Sequence, residues 1–124
     1  MKHAFLTALL LLAALVGVQA QTKEVKVVTT IESVVPGGLG RSRLISSDSV
    51  GTLEERQMEN FFSLVGINFG NVKENDVTIA AKIAQLTNQG WHLDFVNSGV
   101  YSAGDKGTGI FITRYIFSRN KVKA

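Results

Sequence analysis

Apolar and polar residues keep a helical period and then a period of two along the second half of the chain. Val77, Ala80, Ala81 and Ala84 recur at helical spacing beside Ile79, Ile83 and Leu86, with Lys82, Gln85 and Asn88 outside that stripe. The pattern predicts an amphipathic helix. Asp76 stands where its carboxylate can accept from the first-turn amides that have no partner of their own. Gly90 ends the helix, since a residue without a β-carbon takes the left-handed C-terminal conformation at no steric cost, and Trp91 follows where an apolar side chain folds back on the last turn. Burial at about 1.5–3 kcal/mol per large aliphatic side chain lets Ile79, Ile83 and Leu86 hold this helix onto a sheet. From His92 to Tyr101, Leu93 and Phe95 are read on one side and Val96 and Val100 on the other. In Ile110 to Arg119, Ile110, Ile112 and Ile116 share a face with Arg114, and Phe111, Thr113, Tyr115 and Phe117 take the opposite one. A strand apolar on both faces is expected in the middle of a sheet.

Upstream, Lys23 to Val35 alternates cleanly, with Val25, Val27, Thr29, Ile31, Ser33 and Val35 on one face and Glu24, Lys26, Thr30 and Glu32 on the other. Pro36-Gly37 suits a type II turn, Gly38 to Gly40 loosens the chain, and Arg41 to Ile45 fits a short strand. Ser46 to Gly51 reads as loop. Thr52 and Glu55 match a capping box, which predicts a second helix from Leu53 towards Val65 with Met58, Phe61, Phe62 and Val65 inside and Gly66 as its stop. Ile67 to Asn75 is expected to be an irregular loop pinned by Phe69 and Val72. The fold class expected is α+β: a small antiparallel sheet of three to four strands with two helices packed on it.

Lys2, the apolar run Ala4 to Val18 and the small residues of Val18-Gln19-Ala20 have the order of a signal peptide over residues 1–20. The run is short for a membrane span, which needs about 20 apolar residues. Cleavage after Ala20 would leave a single domain over 21–124, lower the formal charge from +3 to +2 by loss of Lys2, and remove most of the apolar excess. A chain of that size buries about 60–70% of its unfolded surface. It has no cysteine, so neither disulfides nor a lipidated cysteine hold it, and the periplasm or the outside of a bacterium is the expected location. The small positive charge and the export signal argue against a nucleic-acid binder.

Leu86, three intervening residues and Gly90-Trp91-His92-Leu93 resemble the Leu-x-x-x-Gly-Trp-x-Leu signature of a family of small uncharacterised bacterial domains of unknown function. The resemblance implies a strand, a helix, the Gly-Trp step and two strands ending in an apolar-then-basic segment, here Ile110 to Arg119, with the first and last strands adjacent. It covers the first strand and the chain from the helix onwards. Pro36 to Asn75 is then an insert, and no activity or site residue is implied.

Candidate chemistry is sparse. His92 and Asp94 lie two apart on a strand and can form a weak metal pair or an oriented base, although solvent-facing strand residues do the same. The mature chain offers no second histidine and no cysteine to complete a metal site, so neither a metal nor a cofactor is expected. Glu54, Glu55 and Glu59 are explained by a helix dipole. Gly104, Gly107 and Gly109 precede a strand and not the helix a phosphate site needs, so a hairpin loop is the simpler reading. Trp91, Phe95, Tyr101, Tyr115 and Phe117 fit either a stacking platform or a core. Gly37 to Gly40 beside Arg41 and Arg43 offers amides and two guanidinium groups to a carboxylate or phosphate, or is a turn with solvated arginines. Arg114 interrupts an apolar face, where a buried guanidinium needs a partner such as Glu32 or Asp94.

These features favour a non-catalytic envelope or secreted binding module in which Arg41, Arg43 and Arg114 receive an acidic group of a glycan, peptide or protein. Two other classes stay open: a structural protein that oligomerises through a strand edge, and a hydrolase using His92 and Asp94 with Glu74 or Ser98.

Overall fold

The computed structural model describes residues 22–34, 41–63, 66–102 and 109–121. In chain order these form β1 (Lys23–Ser33), β2 (Arg43–Asp48), β3 (Leu53–Gln57), the short strands β4 (Phe62–Ser63) and β5 (Gly66–Ile67), the helix α1 (Phe69–Asn88), β6 (His92–Ser102) and β7 (Gly109–Asn120). The expected leader, the Pro36-Gly37 turn, the glycines from 37 to 40, Gly104 and Gly107 lie outside the described residues. Five strands make one antiparallel sheet in the order β3-β2-β1-β7-β6, and β4 pairs with β5 separately. The first and last strands are neighbours, in register from Lys23 with Asn120 to Ser33 with Ile110. β1, and not the last strand, is therefore the middle of the sheet.

This corrects the expected sheet of three to four strands under two helices, because among the described residues the sheet has five strands and a single helix packs on it. The second helix predicted from Leu53 is instead an edge strand. Thr52 caps nothing: its amide donates to the Asp48 carboxylate at 2.9 Å, and the Val50 amide donates to the same oxygen at 3.2 Å. Gly51 turns with φ +86, so Asp48 to Thr52 closes a β2–β3 hairpin. A Thr-x-x-Glu spacing matches a capping box equally well when the threonine ends a turn, and here the hairpin partner decides.

α1 begins seven residues before Asp76, which corrects the loop expected over Ile67 to Asn75. Asn68 is the N-cap, its side-chain oxygen accepting from Gly70 and Asn71 at 3.0 and 3.3 Å. The earlier start rotates no residue, but tertiary contacts select a different stripe. Val77 is 70% exposed, whereas Lys82, expected outside, is 8% exposed. Its ammonium reaches Glu54 of β3 at 2.6 Å, so the corrected strand supplies the counter-charge that burial of Lys82 requires.

The helix ends as its sequence predicts. Gly90 has φ +81, its amide donates to the Thr87 carbonyl at 3.0 Å, and the Trp91 amide donates to the Leu86 carbonyl at 3.0 Å. This is a Schellman motif, and the apolar contact that accompanies one is made by Leu86 and Trp91. The Leu-x-x-x-Gly-Trp spacing is thus a helix terminator with a core residue on either side. Val28, Leu44, Met58, Leu86, Trp91 and Phe117 form the core, with Ile79, Ile83, Leu93 and Tyr115 packed against it.

A buried polar bundle ties the segment after β3 to both layers. The Ser33 amide donates to Ser42 Oγ at 2.9 Å, and Ser42 Oγ donates to Asn60 Oδ1 at 2.8 Å. Asn75 accepts from the Glu59 amide at 2.9 Å and donates to the Glu59 carbonyl at 2.8 Å and to Glu32 at 3.2 Å. Burial holds the Glu32 carboxyl above its ordinary range, with the nearby Asp76 adding to the shift and the Asn75 hydrogen bond opposing it. The folded protein therefore binds this proton more tightly than the unfolded chain. Stability from this group is greatest at acid pH and falls as pH rises from the ordinary carboxylate value through the raised one. Glu32→Gln keeps the acceptor for Asn75 and removes the charge. It is expected to raise the melting temperature at pH 7 and leave it unchanged at pH 4, as followed by thermal scans across that range.

Candidate binding face

Strand pairing fixes which side chains share each face of the sheet. Val28 and Thr30 of β1, Tyr115 and Phe117 of β7 and Leu44 of β2 lie on the side that α1 covers, together with Glu24, Lys26 and Glu32. Val25, Val27, Thr29 and Ile31 lie on the other side, with Ile45 of β2 and Ile112, Arg114 and Ile116 of β7. β6 adds Phe95, Asn97, Gly99 and Tyr101 there. Among the described residues, no hydrophobic side chain of this second face belongs to the core cluster. The charged face of β1 is roofed by the helix, and among the described residues no helix lies on its more aliphatic face, whose Val27, Thr29 and Ile31 are half-buried.

Beside β6 the open face has a shallow hollow of about 360 Å³, bordered by Asn97, Gly99, Tyr101, Ile112, Arg114 and Ile116. Gly99 deepens it, since a β-carbon there would meet nothing within 4 Å. Arg114 is exposed, contrary to the expectation of a buried guanidinium. Neither acid proposed as its partner serves: Glu32 lies on the helix side bonded to Asn75, and the Asp94 carboxylate is 2.9 Å from His92 Nδ1. Among the described residues the side chain of Arg114 makes no hydrogen bond or ion pair.

The other two singled-out arginines are placed differently. Arg43 shares the open face with Arg114, but β1 stands between them, about 10 Å across the sheet. It is bonded to Glu55 at 2.8 Å, a partner supplied by the strand the sequence misread. Arg41 is exposed just before β2. The three do not converge on one point, and the wide spacing suits a broad surface more than a small anion cage.

A second hollow, of about 240 Å³, surrounds Trp91 on the helix side. Trp91 is 6% exposed, with Arg119 4.4 Å and Lys26 5.4 Å from the centre of its ring. Arg119 is bonded to Glu24 at 2.6 Å and Lys26 pairs with Asp48 at 3.8 Å. Both cations are neutralised there, so this cluster is a structural clamp on the tryptophan. Its members are far apart in the chain, so no local pattern announces it.

His92 is exposed at the start of β6, next to a bulge at Asp94. Hydrogen bonds from Ser118 and then His92 hold the Asp94 carboxyl below its ordinary range. Ser98 Oγ lies 3.1 Å from Thr113 Oγ1, and no hydrogen bond among the described residues joins Ser98 or Glu74 to His92. Among the described residues no three acidic, histidine or cysteine side chains gather in a way that would hold a metal ion, and no helix is long and apolar enough to cross a membrane. Compared with protein-family models, curated proteins and solved structures, the chain matches none.

Proposed function

We propose that this chain is an exported, non-catalytic binding module whose open sheet face receives a partner carrying an apolar body and an acidic group. The observation behind this reading is the arrangement of β1 and β7, which sets Val27, Ile31, Ile112 and Ile116 around Arg114, whose side chain has no partner among the described residues, on the side away from α1. Single exposed aliphatic residues are ordinary, but a contiguous patch signals an interaction surface. A guanidinium in such surroundings selects for a carboxylate, which it can grip with two parallel hydrogen bonds. Among the described strand residues of this face, the cations Lys23, Arg43 and Arg114 outnumber the acids Glu55 and Asp94.

Decanoate provides a simple probe with both features, and decanol the neutral control. Titration calorimetry is expected to show decanoate binding that Arg114→Ala weakens about tenfold or more, the usual effect of losing a charge-assisted hydrogen bond. Decanol should bind weakly to both proteins. Equal binding of decanoate to the wild type and to Arg114→Ala would remove Arg114 from the site.

A further inference from the structure

The two edges of the sheet are built differently. β3 is five residues long and carries Glu54, Glu55 and Arg56, which discourages pairing with another strand. β6 is eleven residues long, and after the bulge at Asp94 it runs from Phe95 to Ser102 without a charge or a proline. Phe95, Val96, Val100 and Tyr101 are each more than half exposed. Among the described residues no strand pairs with its outer side. An edge of that length would normally be blunted, and this one is not.

The segment is also symmetric in character about Ser98. Read outward from Ser98, Asn97-Val96-Phe95 gives polar, valine and aromatic, and Gly99-Val100-Tyr101 mirrors it with glycine opposite asparagine. We propose that β6 pairs antiparallel with β6 of a second copy of this chain, around a two-fold axis through Ser98 normal to the sheet. Such an axis keeps the helix sides of both copies together, so only odd-with-odd and even-with-even registers are allowed. In the register centred on Ser98, Phe95 meets the partner's Tyr101 on the open face and Val96 meets the partner's Val100 on the helix side. Asn97 meets the partner's Gly99, where a missing side chain leaves room for it. Moving the axis to Asn97 sets Phe95 opposite glycine, and moving it to Gly99 sets Tyr101 opposite asparagine, so one register fits.

No charge lies inside the pairing, and the nearest, Asp94, stands at the bulge. Cross-strand aromatic and valine pairs are the contacts that stabilise such ladders, and the alternating pattern adds about six to eight backbone hydrogen bonds. The product is one continuous sheet from two five-stranded ones, with the open faces side by side. This pairing uses the strand edge and does not depend on what the open face binds.

Light scattering on the purified protein along a dilution series provides the test. The wild type is expected to show twice the chain mass at the concentrated end, falling towards the single-chain mass on dilution. Ser98→Lys and Ser98→Glu each place like charges opposite one another across the axis and are expected to give the single-chain mass throughout. An equal mixture of the two should restore the doubled mass, which also shows that both variants are folded. Val100→Lys, an exposed position facing the partner's Val96, should abolish the doubling by a separate route, and Arg114→Ala should leave it unchanged. A single-chain mass for the wild type at every concentration would overturn the proposal, as would a doubled mass that persists in Ser98→Lys alone.

Discussion

Trp91→Ala is expected to remove about 3–5 kcal/mol of stability, the usual loss for a buried aromatic residue. That is a large share of the 5–15 kcal/mol available to a domain of this kind. Three causes act together. The indole closes the Schellman end of α1 against Leu86, belongs to the core with Val28 and Phe117, and has Arg119 and Lys26 over its ring. The chain has one tryptophan, so its fluorescence reports unfolding of the wild type, and far-ultraviolet dichroism in urea serves for both proteins. Trp91→Phe should recover most of the loss. A cost below about 1 kcal/mol for the alanine variant would place Trp91 outside the core.

Asn75→Ala is the second large effect, expected at about 2–4 kcal/mol because it orphans polar groups that cannot all reach water. Its amide satisfies both the N–H and the carbonyl of Glu59 and one oxygen of Glu32, and it is almost completely buried. Asn75→Asp preserves the shape but offers acceptors where the Glu59 carbonyl and the Glu32 carboxylate need a donor. Urea denaturation should find that aspartate variant weaker at pH 7 than at pH 4, where protonation returns a donor. An Asn75→Asp protein as stable as the wild type at pH 7 would contradict the assigned hydrogen bonds.

Local chemistry was legible in the sequence wherever the partners are neighbours in the chain. Gly90 and Trp91 terminate α1 through bonds to Thr87 and Leu86, all within one turn, and the alternation of β1 and of β7 marked two long strands. Legibility failed where a distant partner decides. Leu53 to Gln57 looked like a helix until β2 was there to pair with it, although Asp48 and Gly51 together carried a hairpin signal. Lys82 looked solvent-facing because Glu54, its counter-charge, belonged to the segment misread as helical. The start of α1 was misplaced because both Asn68 and Asp76 are good caps, and only contacts of the first turns, such as Asn71 with the Asn60 carbonyl at 2.7 Å, choose between them.

The residues of the candidate face could be named from the sequence, whereas their arrangement depends on strand pairing. Arg43 and Arg114 stand on strand faces, and the alternation of β1 marks an aliphatic side without saying whether it faces the core. The covered side instead gains Val28, Tyr115 and Phe117 from three positions that interrupt or oppose the charged ones, while Lys26 and Glu32 are satisfied by Trp91, Asp48 and Asn75. A period of two identifies two faces and leaves open which of them a helix will cover.

The thermal stability of Ile112→Glu tests that assignment of faces most directly. Ile112 lies on the open side next to Arg114 in the hollow, so a carboxylate there stays in water and beside a cation. The account predicts a loss of about 1 kcal/mol or less, with decanoate binding abolished because the new acid occupies Arg114. A loss of about 4 kcal/mol or more, as expected for an unpaired charge forced into a core, would mean that the chain itself covers this face and would contradict the account.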